Sequence, residues 1–221
     1  MNPVFPSILA TNFFDLEAKL RAFEEWGIEV IHLDVMDGHF VDTISFGPSM
    51  AKAIKEKFPF RLDAHLMVSN PEQAIPHFLK AGVDWLSFHA EAAGDTSGLL
   101  QSIHDRGCRA GLVLNPDTPL ERLFPFLHSL DYVLLMSVFP GYGGQAFIPN
   151  TLERVVQMKN AIAQRGSGCL LQVDGGINTA NAALVKEAGA DLIVVGTSLF
   201  NAADIKEKVG EFANLMHWSR P

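Results

Sequence analysis

Along the chain, short runs rich in β-branched and aliphatic residues alternate with longer stretches whose apolar positions recur every three or four residues. The short runs predict strands at Val4 to Leu9, Val30 to Val35, Arg61 to Met67, Trp85 to His89, Arg109 to Leu114, Tyr132 to Val138, Cys169 to Asp174 and Leu192 to Gly196. A helix-sized gap follows each of them. Eight strand-then-helix units predict an α/β fold of the closed parallel kind, a (β/α)8 or TIM barrel.

The gaps carry helical stripes: Phe13, Leu16, Leu20 and Phe23 form one, and Ile205, Val209, Phe212 and Met216 another. Asn70-Pro71-Glu72-Gln73 and Thr118-Pro119-Leu120-Glu121 both read as an N-cap, a proline at the first helical position and a capping-box residue. Pro76 lies inside the helix that Asn70 starts, so a kink or a late start is expected there. A weak repeat, Trp26-Gly27-Ile28-Glu29, Ala81-Gly82-Val83-Asp84 and Ala188-Gly189-Ala190-Asp191, ends a helix with glycine before a strand. Counting seven residues on from each glycine reaches Asp34, His89 and Gly196, all expected at the carboxyl ends of strands, where this fold builds its sites. No linker or low-complexity tract interrupts the pattern, so residues 1–221 read as a single barrel domain.

Composition narrows the functional classes. At 221 residues and 48% hydrophobic, the chain can bury a large core. A net charge of −8 disfavours nucleic acid or an anionic membrane as partner and requires any phosphate site to be local. The first residues lack a basic start followed by an apolar run, and no segment is apolar for the roughly 18 residues a membrane span needs, so a cytoplasmic location is expected. Cys108 and Cys169 stand beside strands without metal-type spacing and read as reduced core residues.

The chemistry collects at strand ends. Period-two alternation puts His32 and Asp34 on one side of the second strand, about 6.5 Å apart, where they could share a cation or form an Asp-His hydrogen bond. His65 ends the third strand and Asp174 the seventh, so four ligand-type residues crowd one rim, with Asp174 expected to face Asp34 across the opening. Asp63 sits one layer lower and reads as a supporting residue. His89 ends the fourth strand and is placed at the pocket edge or behind the ligands. His39, His77, His104, His128 and His217 lack partners at useful spacing and read as surface or helix residues. Phe139-Pro140-Gly141-Tyr142-Gly143-Gly144-Gln145, Gly175-Gly176 and Gly196-Thr197-Ser198 follow three consecutive strands, and together they predict a phosphate site. Met36, Met67 and Met136 lie near strand ends and suit either core packing or an apolar pocket wall.

Ser7-Ile8-Leu9, His32 to Val41, His65-Leu66-Met67-Val68, Pro140 to Gln145 and Val173 to Gly176 form an ordered motif set that resembles the ribulose-phosphate 3-epimerases over nearly the whole chain. The resemblance implies an isomerase of the pentose phosphate pathway that interconverts D-ribulose 5-phosphate and D-xylulose 5-phosphate. It implies that His32, Asp34, His65 and Asp174 bind one divalent metal ion, with zinc, iron(II), manganese or cobalt all suited to the donor set. It implies that Asp34 and Asp174 are the acid/base pair around a metal-stabilised enediolate. Ser7, His65, Asp174, Gly141, Tyr142, Gly143, Gly144, Gly175, Gly176, Gly196 and Thr197 would meet substrate or its phosphate, and a homo-oligomer is implied. Asp42-Thr43, Phe139 and Ala10-Thr11-Asn12 depart from the usual pattern. These leave open a six-carbon ketose phosphate such as allulose 6-phosphate, or a related sugar-phosphate lyase, as the alternative chemistry; a non-catalytic sugar-phosphate binder is a third.

Overall fold

A computed structural model describes residues 1–218 of the chain. Eight strands form one parallel sheet: β1 (Val4–Pro6), β2 (Val30–Met36), β3 (Arg61–Met67), β4 (Trp85–His89), β5 (Arg109–Leu114), β6 (Tyr132–Met136), β7 (Leu170–Asp174) and β8 (Leu192–Val195). Each pairs with its sequence neighbour, β8 pairs with β1, and a parallel bridge between Ser7 and His32 closes the ring at the β1/β2 seam. Helices cover the outside: α1 (Leu16–Glu25), α2 (Pro48–Lys57), α3 (Pro71–Ala81), α4 (Thr96–His104), α5 (Thr151–Gln164), α6 (Ala182–Glu187), α7 (Thr197–Phe200) and α8 (Ile205–Leu215). Between β5 and β6 the covering segment is a 3-10 helix, Leu120–Ser129. The arrangement is the (β/α)8 barrel that the alternation predicts.

Alternation also sorts the core. Ile31, Leu33 and Val35 of β2 face outward into the layer shared with the helices, as do Leu62, Ala64 and Leu66 of β3. Burying a side chain such as Phe212 of α8 in that layer contributes about 1.5–3 kcal/mol. The inward residues stack in layers: Phe5, Val30, Trp85, Tyr132 and Leu192 form an apolar cluster with Val194, which also reaches the cavity at the opposite end of the barrel. His32, Asp63, Ser87 and Gln172 are fully buried above them. A polar layer inside a barrel is costly unless its groups satisfy one another.

The glycine-led repeat has a structural cause. Asp84 accepts from the backbone N–H of Leu62 (2.8 Å) and from Lys55 Nζ (2.8 Å), and Asp191 accepts from Leu171 N–H (2.9 Å) and Lys159 Nζ (2.7 Å). Asp131, before β6, does the same with Ala110 N–H (2.8 Å) and His104 Nε2 (2.9 Å). Each acid ties the start of an even-numbered strand to the odd strand and the helix before it. His104 is therefore a paired residue, contrary to its reading as an unpartnered one.

Four other local expectations change. The first strand stops at Pro6 because Ser7 caps a 3-10 turn, Ile8–Ala10, its hydroxyl accepting from Leu9 N–H. Phe13 leaves the α1 stripe and is exposed, whereas Leu16, Leu20 and Phe23 are buried. α3 neither starts late nor breaks: Asn70 Oδ1 accepts from Gln73 N–H (3.1 Å), and Pro76 lies on the solvent side, where water can replace its missing donor. Thr118 forms no N-cap; its hydroxyl donates to Glu91 Oε1, since a partly buried carboxylate needs donors more than an accessible helix end does. Cys108 and Cys169 are free and buried, and burial pushes both thiols up to about 12. Among the described residues, no helix is long and apolar enough to cross a membrane.

Candidate active site

The carboxyl ends of the strands surround a cavity of about 290 Å³. Asp34 and Asp174 line it, with Ser7 between them at the β1/β2 seam and Met36, Met67 and Met136 on its wall. His32 and His65 lie directly beneath, fully buried. One ligand-type atom from each of His32, Asp34, His65 and Asp174 falls within 4.8 Å of all the others. His32 Nε2 is 3.3 Å from Asp34 Oδ1 and 3.7 Å from Asp174 Oδ2. His65 Nδ1 is 3.4 Å from the same Asp34 oxygen and 3.6 Å from the same Asp174 oxygen.

Those separations fit a cation. Four ligands at about 2.0–2.2 Å in a tetrahedron stand roughly 3.3–3.6 Å apart. His32 Nε2 and His65 Nδ1 are buried without a hydrogen-bond partner, so both lone pairs are left for an ion. Their opposite nitrogens are engaged. His32 Nδ1 meets Asp63 Oδ2 at 2.8 Å, and Asp63 also accepts from Tyr132 Oη (2.9 Å) and Gln172 Nε2 (2.9 Å). The expected supporting role of Asp63 thus has a geometry: it orients His32 from below. Gly111 makes it possible, since a Cβ there would lie 2.4 Å from Tyr132 Cζ and block the phenol. His65 Nε2 meets His89 Nε2 at 2.9 Å, which puts His89 behind a ligand and away from the cavity lining.

Electrostatics separate the two aspartates. Burial alone would raise Asp34, but the His32 charge and the nearby His65 outweigh it and hold the carboxyl far below its usual range. Asp174 goes the other way, raised by burial and by repulsion from Asp34. Ser7 Oγ adds a donor to Asp34 Oδ2 alone. Burial works against charge on His32, yet Asp34 and Asp63 raise its pKa well above normal; the aspartates similarly raise His65 against its burial. Two carboxylates there need positive charge beside them, and a divalent cation held by the four residues would supply it in place of imidazole protons.

The glycine loops meet on the other side of the cavity. Gly141, Tyr142, Gly143 and Gly144 line it from the loop after β6, Gly175 and Gly176 from that after β7, and Gly196 and Thr197 from that after β8. Gln145 Nε2 donates to the carbonyls of Phe139 (2.7 Å) and Tyr142 (3.0 Å) and braces the first of these loops. Gly176 has φ +62°, and a Cβ there would lie 2.6 Å from Phe147 N, so the two loops touch only because it has no side chain. Asn178 and Asn201 also line the cavity; single asparagines in loops carry no spacing signal by which the sequence could have marked them.

Comparisons with known proteins agree with this geometry. Residues 3–200 match the profile of the ribulose-phosphate 3 epimerase family. The ribulose-phosphate 3-epimerase of Bacillus subtilis is 42% identical, covering 96% of this chain and 98% of its own length. The chloroplastic ribulose-5-phosphate-3-epimerase of Arabidopsis thaliana is 41% identical over 93% of this chain and 74% of its own. Among solved structures, 3-hexulose-6-phosphate synthase from Salmonella typhimurium superposes with a TM-score of 0.72 at 15% identity, covering 97% and 98% of the two chains, a likeness of fold alone.

Proposed function

The chain belongs to the ribulose-phosphate 3-epimerase family, and from that premise we propose that it is an isomerase that interconverts D-ribulose 5-phosphate and D-xylulose 5-phosphate by inverting carbon 3. The observation that carries this reading is the pair Asp34 and Asp174, gathered with two histidines at one opening and pushed toward opposite protonation states.

His32, Asp34, His65 and Asp174 would hold one divalent cation, with zinc, iron(II), manganese or cobalt as candidates. When bound, such an ion supplies Lewis-acid stabilisation of the negative charge of an enediolate. Removing the weakly acidic proton from carbon 3 requires a base, and returning one to the opposite face requires an acid on that side. Asp34, kept ionised by the histidines and Ser7, suits the first task. Asp174, whose hold on a proton is raised by burial beside Asp34, suits the second, and the reverse reaction starts from the exchanged pair of states. Ser7 fixes the free oxygen of Asp34 and can meet substrate from the same position. Met36, Met67 and Met136 present a nearly dry, polarizable wall to the planar intermediate. The phosphate would lie among the loops carrying Gly141, Tyr142, Gly143, Gly144, Gly175, Gly176, Gly196 and Thr197, where the lack of side chains on the glycines admits backbone N–H groups to the anion.

Residues 1–221 would act as one catalytic domain of the pentose phosphate pathway in the cytoplasm, without nucleic-acid or membrane partners. A homo-oligomer is favoured by the apolar surface on the loops after β1 and β2, where Phe13, Phe14 and Ile44 are exposed, Phe14 completely. The test is direct: metal-loaded protein in deuterated water should convert ribulose 5-phosphate to xylulose 5-phosphate and place deuterium at carbon 3. Turnover of a six-carbon ketose phosphate alone, or release of formaldehyde or carbon dioxide, would replace this reading.

A further inference from the structure

We propose that Glu91, acting through His89, is a positioning residue that fixes the tautomer of His65 and thereby aims the His65 Nδ1 lone pair at the cation. The inference rests on the reading of His32, Asp34, His65 and Asp174 as a divalent-cation site and deepens it. His65 Nε2 and His89 Nε2 are 2.9 Å apart, with the rings inclined by 26°. Only one of these nitrogens can carry a proton at that distance. A His65 that offers an unprotonated Nδ1 to a cation holds its proton on Nε2 and donates it to His89. His89 Nε2 is then the acceptor, its own proton sits on Nδ1, and Glu91 Oε2 lies 3.4 Å from that nitrogen. A carboxylate only accepts, so the far end permits one direction along the chain of groups.

Glu91 is itself set in place. Its Oε1 accepts from Asn115 N–H (2.9 Å) and from the Thr118 hydroxyl, which leaves Oε2 for His89. Arg154 of α5 holds that loop by donating to the carbonyls of Asn115 (3.1 Å) and Thr118 (2.8 Å). Above the pair, the Phe40 ring stands 4.6 Å from the His89 ring, and His89 is fully buried, so water does not compete for the imidazole. His32 thus meets Asp63 directly, whereas His65 faces Glu91 across the His89 imidazole, with His89 Nδ1 and Glu91 Oε2 both buried and without a hydrogen-bond partner 3.4 Å from each other.

Glu91→Gln tests this by reversing the far end at constant volume. The amide oxygen would take the two donors now at Oε1, leaving the NH2 group toward His89 Nδ1. His89 would have to protonate Nε2, and His65 would then carry its proton on Nδ1, the atom that faces the cation. Zinc affinity of the full chain is measured by chelator competition for wild type, Glu91→Gln and Glu121→Gln, an exposed acid whose loss removes the same charge without facing His89. Nitrogen NMR of the histidines in zinc-loaded wild type reads which His65 nitrogen is protonated, and circular dichroism reports folding. Expected are zinc binding roughly 10–100-fold weaker in Glu91→Gln, wild-type affinity in Glu121→Gln, and a protonated Nε2 on His65. A folded Glu91→Gln that binds zinc as wild type does, or a wild-type His65 protonated on Nδ1, overturns the inference. Should Glu91→Gln not fold, the wild-type spectrum decides by itself. A wild-type chain that does not bind zinc overturns the cation reading and this inference together, whereas a loss of neither site nor affinity overturns only the latter.

Discussion

His65 Nδ1 lies 3.6 Å from Asp174 Oδ2, although β3 and β7 stand on opposite sides of the ring. The cluster therefore spans the opening, and an ion within it would tie the two halves of the barrel to one another.

Chelation should lower stability as well as activity. An ion bound at a hundred times its Kd adds about 2.7 kcal/mol. At roughly 2–4 °C per kcal/mol for a chain of this size, the thermal midpoint should fall by about 5–10 °C on metal removal and recover on return. Calorimetry that shows no difference between chelated and loaded protein would remove the cation from the site.

Asp34→Asn and Asp174→Asn should each lower kcat by roughly a hundred- to ten-thousandfold, because each deletes one of two proton carriers. Steady-state rates together with solvent exchange at carbon 3 check this, and full activity in either variant would sink the two-carboxylate mechanism.

Gly176→Ala should act on binding. The added Cβ would meet Phe147 N at 2.6 Å and Gln145 O at 2.9 Å, and the residue has φ +62°, so the loop after β6 must move away from the phosphate region. A rise in KM of about tenfold, about 1.4 kcal/mol, with a smaller change in kcat is expected. An unchanged KM would place the phosphate elsewhere.

Asp37 gives a pH test independent of the metal donors. Burial alone would raise its carboxyl, but the N–H groups of Ser69, Phe40 and His39 and the Ser69 hydroxyl lower it to about 2. The unfolded chain thus binds the proton first as pH falls, so this contribution is complete above about pH 4 and disappears toward pH 2. Asp37→Asn should be less stable by about 1 kcal/mol at pH 7, with the gap closing on acidification; urea midpoints for both proteins measure it. A gap independent of pH would show that the ionised carboxylate is not what holds the two loops.

Asp191→Ala should separate stability from chemistry. It strips the acceptor from Leu171 N–H and from Lys159 at the bottom of the barrel, far from the cavity, at a cost of about 1–3 kcal/mol. The urea midpoint should drop while kcat stays unchanged.

The strand and helix succession was legible because side-chain period is a local property: Ile31, Leu33 and Val35 pack outward while His32, Asp34 and Met36 face in, as alternation requires. Asp63 also read as a support by its position one layer down. Thr118 and Pro76 misled for the opposite reason. A capping motif and an internal proline are judged by neighbouring residues, yet Glu91, 27 residues away from Thr118, claimed its hydroxyl. Nothing near Glu91 or Gln172 marks them in the sequence, because their partners come from other strands and loops.

By itself the sequence determined which donors end which strands and how many strands there are, since both follow from periodicity and from turns that act over a few residues. Tertiary structure alone decided which nitrogen of each histidine faces the cluster, what engages the other nitrogen and which aspartate is pushed toward holding a proton. Those outcomes depend on partners 24 to 109 residues apart, brought within hydrogen-bond reach where little water is present to screen them.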